Sequence, residues 1–224
     1  MATDRAAAKS VTQKRRERER QQRIDSILDA ARQVFFAKGY VRATMDEIAL
    51  GAEVSKPVVY QHFKSKDELF FSLMLPVIES LEVAMAELLD RLGGDDIVDG
   101  TELVRGYFRA AMSAYDRSPE SFRILMLFQL GGLIGEMKPE VRDRLNAAGQ
   151  RGFDLARDMF SQAMQRGWVR DVSAHELVDV LWGVSIGIIQ LEDAKLNESR
   201  RSSFKQASFR LAEDLLVDAL VLKA

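Results

Sequence analysis

Apolar positions recur at helical spacing along most of the chain. From Arg23 onward, Ile24, Ile27, Leu28, Ala31, Val34 and Phe35 fall on one stripe, and Gly39, following Lys38, is the residue at which such a helix ends. Two short segments come next. In the first, Thr44 can cap by accepting from the backbone N–H of Glu47, Asp46 and Glu47 suit the positive helix start, and Met45, Ile48 and Ala49 are its apolar positions. In the second, Ser55 is expected to cap in the same way, Pro57 sits in the first turn where a missing N–H costs little, and Val58, Val59, Tyr60 and Phe63 follow. Helices this short are marginal alone, so both must dock on something else.

A longer helix opens at Ser65-Lys66-Asp67-Glu68, which reads as a capping box, and carries Leu69, Phe70, Leu73, Val77, Ile78, Leu81 and Met85 on to Leu92. Pro76 predicts a kink in it, and Gly93-Gly94-Asp95-Asp96 a break after it. Further helices are expected over 101–117, 119–133 (closed by Gly131, Gly132 and Gly135), 139–166, 175–196 and 203–222. Period-two alternation never persists long enough for a sheet, so the fold class is all-α.

An anchored helix, a tight turn and a second helix with a free, polar start make the pattern of a helix-turn-helix. If the second helix enters a major groove, its first turn and outward face meet the bases. Gln61 can then bond adenine through two atoms, Lys56 can reach guanine, and Val58 can touch a thymine methyl, with Ser55 and Pro57 on the same turn. The plainer reading of these side chains is a solvated surface.

The stretch Arg23 to Met74 resembles the DNA-binding domain of the TetR family of transcriptional regulators. The resemblance rests on Phe36-Ala37-Lys38-Gly39-Tyr40, on Thr44-Met45-Asp46-Glu47-Ile48-Ala49, and on Val54-Ser55-Lys56 leading to Tyr60-Gln61-His62-Phe63 and Ser65-Lys66, in order and without a gap. It implies an N-terminal three-helix helix-turn-helix domain followed by a larger helical domain for ligand binding and dimerisation. It also implies that Tyr60, His62 and Lys66 meet the DNA backbone, with Thr44 able to bond a phosphate while it caps. Two departures stand out. Glu53 occupies a turn position where the family commonly has Gly, so either Glu53 takes a positive φ at about 1 kcal/mol or the turn differs. Pro57-Val58 stands where many members carry Gly-Thr, which removes a hydroxyl and an N–H.

Composition adds an asymmetry to this picture. Of 224 residues, 47% are hydrophobic, enough for a sizeable core. Net charge is -2, yet residues 1–66 hold 14 Lys or Arg against 8 Asp or Glu, so a basic end precedes an acidic body. Residues 1–20 read as a disordered basic arm, able to lie along phosphates or simply to stay solvated, 21–66 as the DNA-binding domain and 67–224 as the effector and dimerisation domain. Cysteine is absent, which excludes disulfides, thiol catalysis and Cys-based zinc sites. His175 with Asp179 at i+4 is the nearest approach to a metal or acid–base pair, and a lone His at a helix start reads as structural. No phosphate loop or nucleophile elbow occurs, so neither enzyme activity nor a cofactor is expected. The N-terminus carries no secretory h-region and the longest apolar run, 177–191, falls short of the roughly 20 residues of a membrane span, so a soluble cytoplasmic protein without a membrane partner is expected.

The acidic body is rich in Met and aromatic residues, which suit a core and also an adaptable apolar pocket. By resemblance, a small hydrophobic effector binds among the middle helices, near Phe108, Met112, Met126, Phe128, Trp182 and Gln190. The resemblance further implies a homodimer through residues 174–196 and 203–222, where Gly183, Ser185 and Gly187 allow close approach, and double-stranded operator DNA, a pseudo-palindrome, as the partner. The expected function is a ligand-responsive, sequence-specific repressor. The competing reading is a helical ligand- or partner-binding protein whose helix-turn-helix is vestigial, supported by Glu53 and Val58.

Overall fold

The computed structural model describes residues 2–94, 96–130, 132–194 and 198–222. Asp95, Gly131 and Leu196, expected at breaks and at a helix end, lie outside them. The protein is 86% helical, with nine α-helices and no strand among the described residues. In chain order these are α1 (Ala2–Arg42), α2 (Met45–Gly51), α3 (Lys56–His62), α4 (Lys66–Gly93), α5 (Gly100–Arg117), α6 (Pro119–Leu130), α7 (Pro139–Gln165), α8 (Ala174–Ala194) and α9 (Glu198–Leu220). A 3-10 turn, Leu133–Glu136, separates α6 from α7.

Residues 2–20, expected as a disordered arm, continue α1 instead. Over the last part of this stretch, Arg15 pairs with Glu19 at 2.7 Å and Arg20 with Glu17 at 3.1 Å, each about one helical turn apart. Gly39 ends the regular helix as expected, with φ 74° and ψ 165°, a conformation that favours glycine.

The residues gather into two compact units. The first comprises Met1–Met74 with Arg123–Val141, and the second Leu75–Phe122 with Arg142–Ala224. In the first, Ile27, Ala31, Phe35, Ile48, Val59, Phe63 and Phe70 are buried. Its centre is a cluster of rings: Phe70 lies 4.3 Å from Phe128, and Tyr40 packs edge-on to both, at 5.2 and 5.0 Å. Hydrogen bonds reinforce the cluster. The buried Asp67 carboxylate accepts from the Tyr40 hydroxyl and, at 3.0 Å, from the backbone N–H of Lys138. Residues 123–141, read from sequence as part of the second domain, therefore complete the core of the first.

In the second unit, Tyr107, Phe108, Phe122 and Phe160 are fully buried. Gly106 has a packing reason, since a Cβ there would stand 2.6 Å from Leu88 Cδ1. The chain leaving α9 is tied back by Leu222 N–H to Trp168 O at 3.0 Å, and Arg170 N–H donates to Leu220 O at 2.8 Å. α4 and α8 reach the length and mean hydropathy of a membrane span (1.7 and 1.3), and half of the α4 stretch is buried within the fold.

Candidate nucleic-acid interface

The two short helices are built by local bonds that the sequence largely dictates. Thr44 Oγ1 accepts from Glu47 N–H at 3.2 Å, and Thr44 N–H donates to Glu47 Oε2 at 3.2 Å, a complete capping box. The Lys38 ammonium also holds Glu47, and these bonds keep its carboxyl below the usual range. α2 then ends in a Schellman motif: Glu53 N–H donates to Leu50 O at 3.1 Å and Val54 N–H to Ala49 O at 3.0 Å. Glu53 takes φ 54°, the only positive φ outside glycine among the described residues. Of the two possibilities at this turn, the strained one holds.

Ser55 begins α3 but its side chain makes no capping bond, contrary to expectation. A capping hydroxyl accepts from the second or third helical N–H. Here the second residue is Pro57, which has none, and the third, Val58, donates to the Ser55 carbonyl at 2.9 Å. The hydroxyl is left on the exposed surface.

α3 buries Val59, and Phe63 follows it into the core. Around that anchor Ser55, Lys56, Pro57, Tyr60 and Gln61 are exposed, while Val58 and His62 are half-buried; Thr44 is exposed at the start of α2. Lys56 Nζ donates to Asp46 Oδ2 at 2.8 Å, which raises the lysine pKa and ties the start of α3 to the first turn of α2. Lys66 is placed differently. Its ammonium donates to the carbonyls of Tyr40, Val41 and Ala43 at 2.8, 3.2 and 3.2 Å and lies 4.4 Å from the Tyr40 ring centre. It satisfies the end of α1, so a phosphate would have to compete with three carbonyls for it.

A model of the bacterial regulatory proteins of the tetR family matches residues 27–73. Over that stretch the chain is similar to the TetR family. Among its relatives, the transcriptional activator FasR of Mycolicibacterium smegmatis is 33% identical over 106 residues, 47% of this chain and 46% of FasR. The transcriptional repressor NicS of Pseudomonas putida is 27% identical over 66% of both chains. The alignment thus spans about half the length of FasR. Among solved structures, AibR in complex with isovaleryl coenzyme A and operator DNA shares the fold, with a TM-score of 0.63 at 21% identity, over 84% of this chain and 97% of AibR.

Of the six residues expected around an effector, two fall in the first unit and four in the second. Met126 and Phe128 are buried in the first unit, Phe128 within the ring cluster. In the second unit Phe108 is buried 6.1 Å from the Phe209 ring, and Met112 and Gln190 are half-buried. Of the six, Trp182 lines a small apolar cavity of this unit, together with Leu81, Met85, Tyr107, Phe153 and Val178. That cavity measures about 10 Å³, room for about one water molecule. Leu81 and Met85 sit on the apolar stripe of α4 and were legible as core; nothing local marks Tyr107 and Phe153 as their neighbours. His175 and Asp179 form no metal cluster with other residues among the described ones.

Proposed function

We propose that this chain is a sequence-specific DNA-binding transcriptional regulator of the cytoplasm, binding a pseudo-palindromic operator as a homodimer. The observation that carries the reading is the division of labour on α3: Val59 and Phe63 are buried, while Lys56, Tyr60 and Gln61 stand exposed side by side. Gln61 and Lys56 read base edges, Ser55, Pro57 and Val58 line the same first turn, and Thr44, Tyr60, His62 and Lys66 meet the backbone. The competing reading, a vestigial helix-turn-helix, drew on Glu53 and Val58. The Schellman bonds are intact around Glu53, which leaves Val58, a residue without a hydrogen-bonding side chain, as its support.

A second copy of the chain fits the faces of α8 and α9. Val180, Leu191, Leu211 and Leu215 are 53, 68, 61 and 61% exposed, and a side chain added at Gly183 or Gly187 would meet nothing within 4 Å. Burying such a face is what a two-fold dimer supplies. The acidic unit binds a small apolar effector in the cavity bounded by Trp182, Phe153 and Tyr107, which must widen to admit it. Likeness to AibR supports ligand control, and effector binding is proposed to lower operator affinity, so that the protein represses until the ligand arrives.

The test is a selection of bound duplexes from genomic DNA, followed by titration of the best duplex across a salt series. The expected result is a two-fold-related motif whose log affinity falls with log salt at about 0.9 per phosphate neutralised. Binding without a motif would overturn the proposal.

A further inference from the structure

Positive charge gathers in a groove between α4 and α5 of the second unit, in a part of the chain that is acidic as a whole. Glu87 and Arg91 line it from α4, and Arg109, Ser113 and Arg117 from α5. The floor is made of Ala84, Leu88, Gly106 and Ala110, where the two helices lie so close that a Cβ at Gly106 would stand 2.6 Å from Leu88 Cδ1. The groove measures about 200 Å³ and is open to solvent.

Its arginines are only partly engaged by the fold. Arg91 Nη2 donates to Glu102 Oε1 at 3.2 Å, which uses part of its fork of donors. Arg109 and Arg117 are exposed and make no hydrogen bond or ion pair among the described residues. Glu213 on α9 senses the charge of Arg109, which works against the rise that burial imposes on its carboxyl, but it makes no bond to that arginine. Ser113 Oγ donates to Ala110 O at 2.8 Å, so the guanidinia are the donors that the groove offers. Three of them line it against the one carboxylate of Glu87, which leaves the lining positive by two charges.

Geometry narrows the choice of anion. Arg109 and Arg117 stand on either side of Ser113, separated by about 12 Å of helix axis, and Arg91 faces them from the other helix. A carboxylate presents its oxygens in one plane and suits a single guanidinium fork. A diphosphate carries acceptor oxygens at both ends and on every side, so it engages both α5 arginines without either leaning far along the helix. The volume agrees, because it lies below the roughly 300–1,000 Å³ of pockets that enclose a whole ligand and leaves the remainder of the molecule in water.

We propose that this groove binds the diphosphate group of a small molecule, with Arg109 and Arg117 at its two ends and Arg91 reaching it from α4. The site is separate from the apolar cavity and from the DNA contact, and it stands or falls independently of the function proposed above.

Calorimetric titration of the full chain with inorganic diphosphate, ADP, inorganic phosphate and succinate tests the proposal. The expected result is one diphosphate per chain, bound at least about tenfold more tightly than phosphate or succinate. ADP binding more tightly than diphosphate assigns the site to a nucleotide, and equal affinity assigns it to the diphosphate alone; either upholds the proposal. Arg109→Gln and Arg117→Gln should each weaken diphosphate about tenfold by removing a charge-assisted bond, whereas Glu87→Gln should tighten it about threefold. Arg170→Gln, which removes an exposed charge outside the groove, should change the affinity less than about twofold at about 0.15 M salt. All four side chains are exposed, so the free variants should melt with the wild type. Absence of diphosphate binding, succinate binding as tightly as diphosphate, or an affinity unchanged in both Arg109→Gln and Arg117→Gln overturns the site.

Discussion

The two short helices of the DNA-binding unit are of equal length and both begin at a hydroxyl residue, yet only one is capped. Thr44 closes a reciprocal box with Glu47, whereas Ser55 makes no capping bond because Pro57 and Val58 leave it no N–H to accept. The difference teaches what each helix depends on. α2 carries its own end-stop at Thr44 and another at Glu53. α3 is held from beneath, by Val59 and Phe63, and its free hydroxyl end is available to a partner.

The largest expected effect comes from opening the ring cluster at the centre of the first unit. Phe70→Ala should lower unfolding stability by about 3–5 kcal/mol in urea, because Phe70 is fully buried against Phe35, Tyr40 and Phe128. Tyr40→Phe should cost about 1–3 kcal/mol at neutral pH by taking a donor from the buried Asp67 carboxylate. It should also change the alkaline limb. Burial, with the hydrogen bond to Asp67, raises the Tyr40 pKa in the folded state, so its stabilisation is complete below the unfolded value near 10 and is lost as pH rises towards the folded one. Melting temperatures of the Phe variant should therefore fall less steeply above about pH 10 than those of wild type. Thr44→Ala should cost about 1 kcal/mol and Ser55→Ala only a few tenths, the sharpest contrast between the caps; equal losses would contradict the bonding described for them. Glu53→Gly should give the smallest change, a gain of up to about 1 kcal/mol from relief of the positive φ, partly offset by the extra freedom of glycine in the unfolded chain.

What the sequence reveals of this protein follows the range of the interactions. Thr44 with Glu47, and the positive φ available at Gly39, depend on residues within one helical turn, so the pattern of the chain exposes them. At Ser55 the missing N–H of Pro57 was equally readable, but that the Val58 N–H goes to the Ser55 carbonyl and not to its hydroxyl was not. The helix over residues 15–20 was hidden for a related reason: ion pairs at i, i+3 and i, i+4 spacing support helix without any apolar stripe. Long-range facts were out of reach. Asp67 meets Lys138 across 71 residues, and Phe128 joins the ring cluster of Tyr40 and Phe70, which places residues 123–141 in the first unit. The three carbonyls that hold Lys66 at the end of α1 lie more than 20 residues away in sequence and were equally out of reach.

The central claim is that α3 presents Gln61 and Lys56 to base edges while its buried residues merely hold it there. Parallel selections from a pool of random duplexes, with wild type, Gln61→Ala and Lys56→Ala at one salt concentration, test it most directly. The account predicts a wild-type motif of two related half-sites, with preference lost at one position per half-site in each variant, costing about 1–3 kcal/mol there, and the remaining positions unchanged. A motif identical in all three proteins would contradict it.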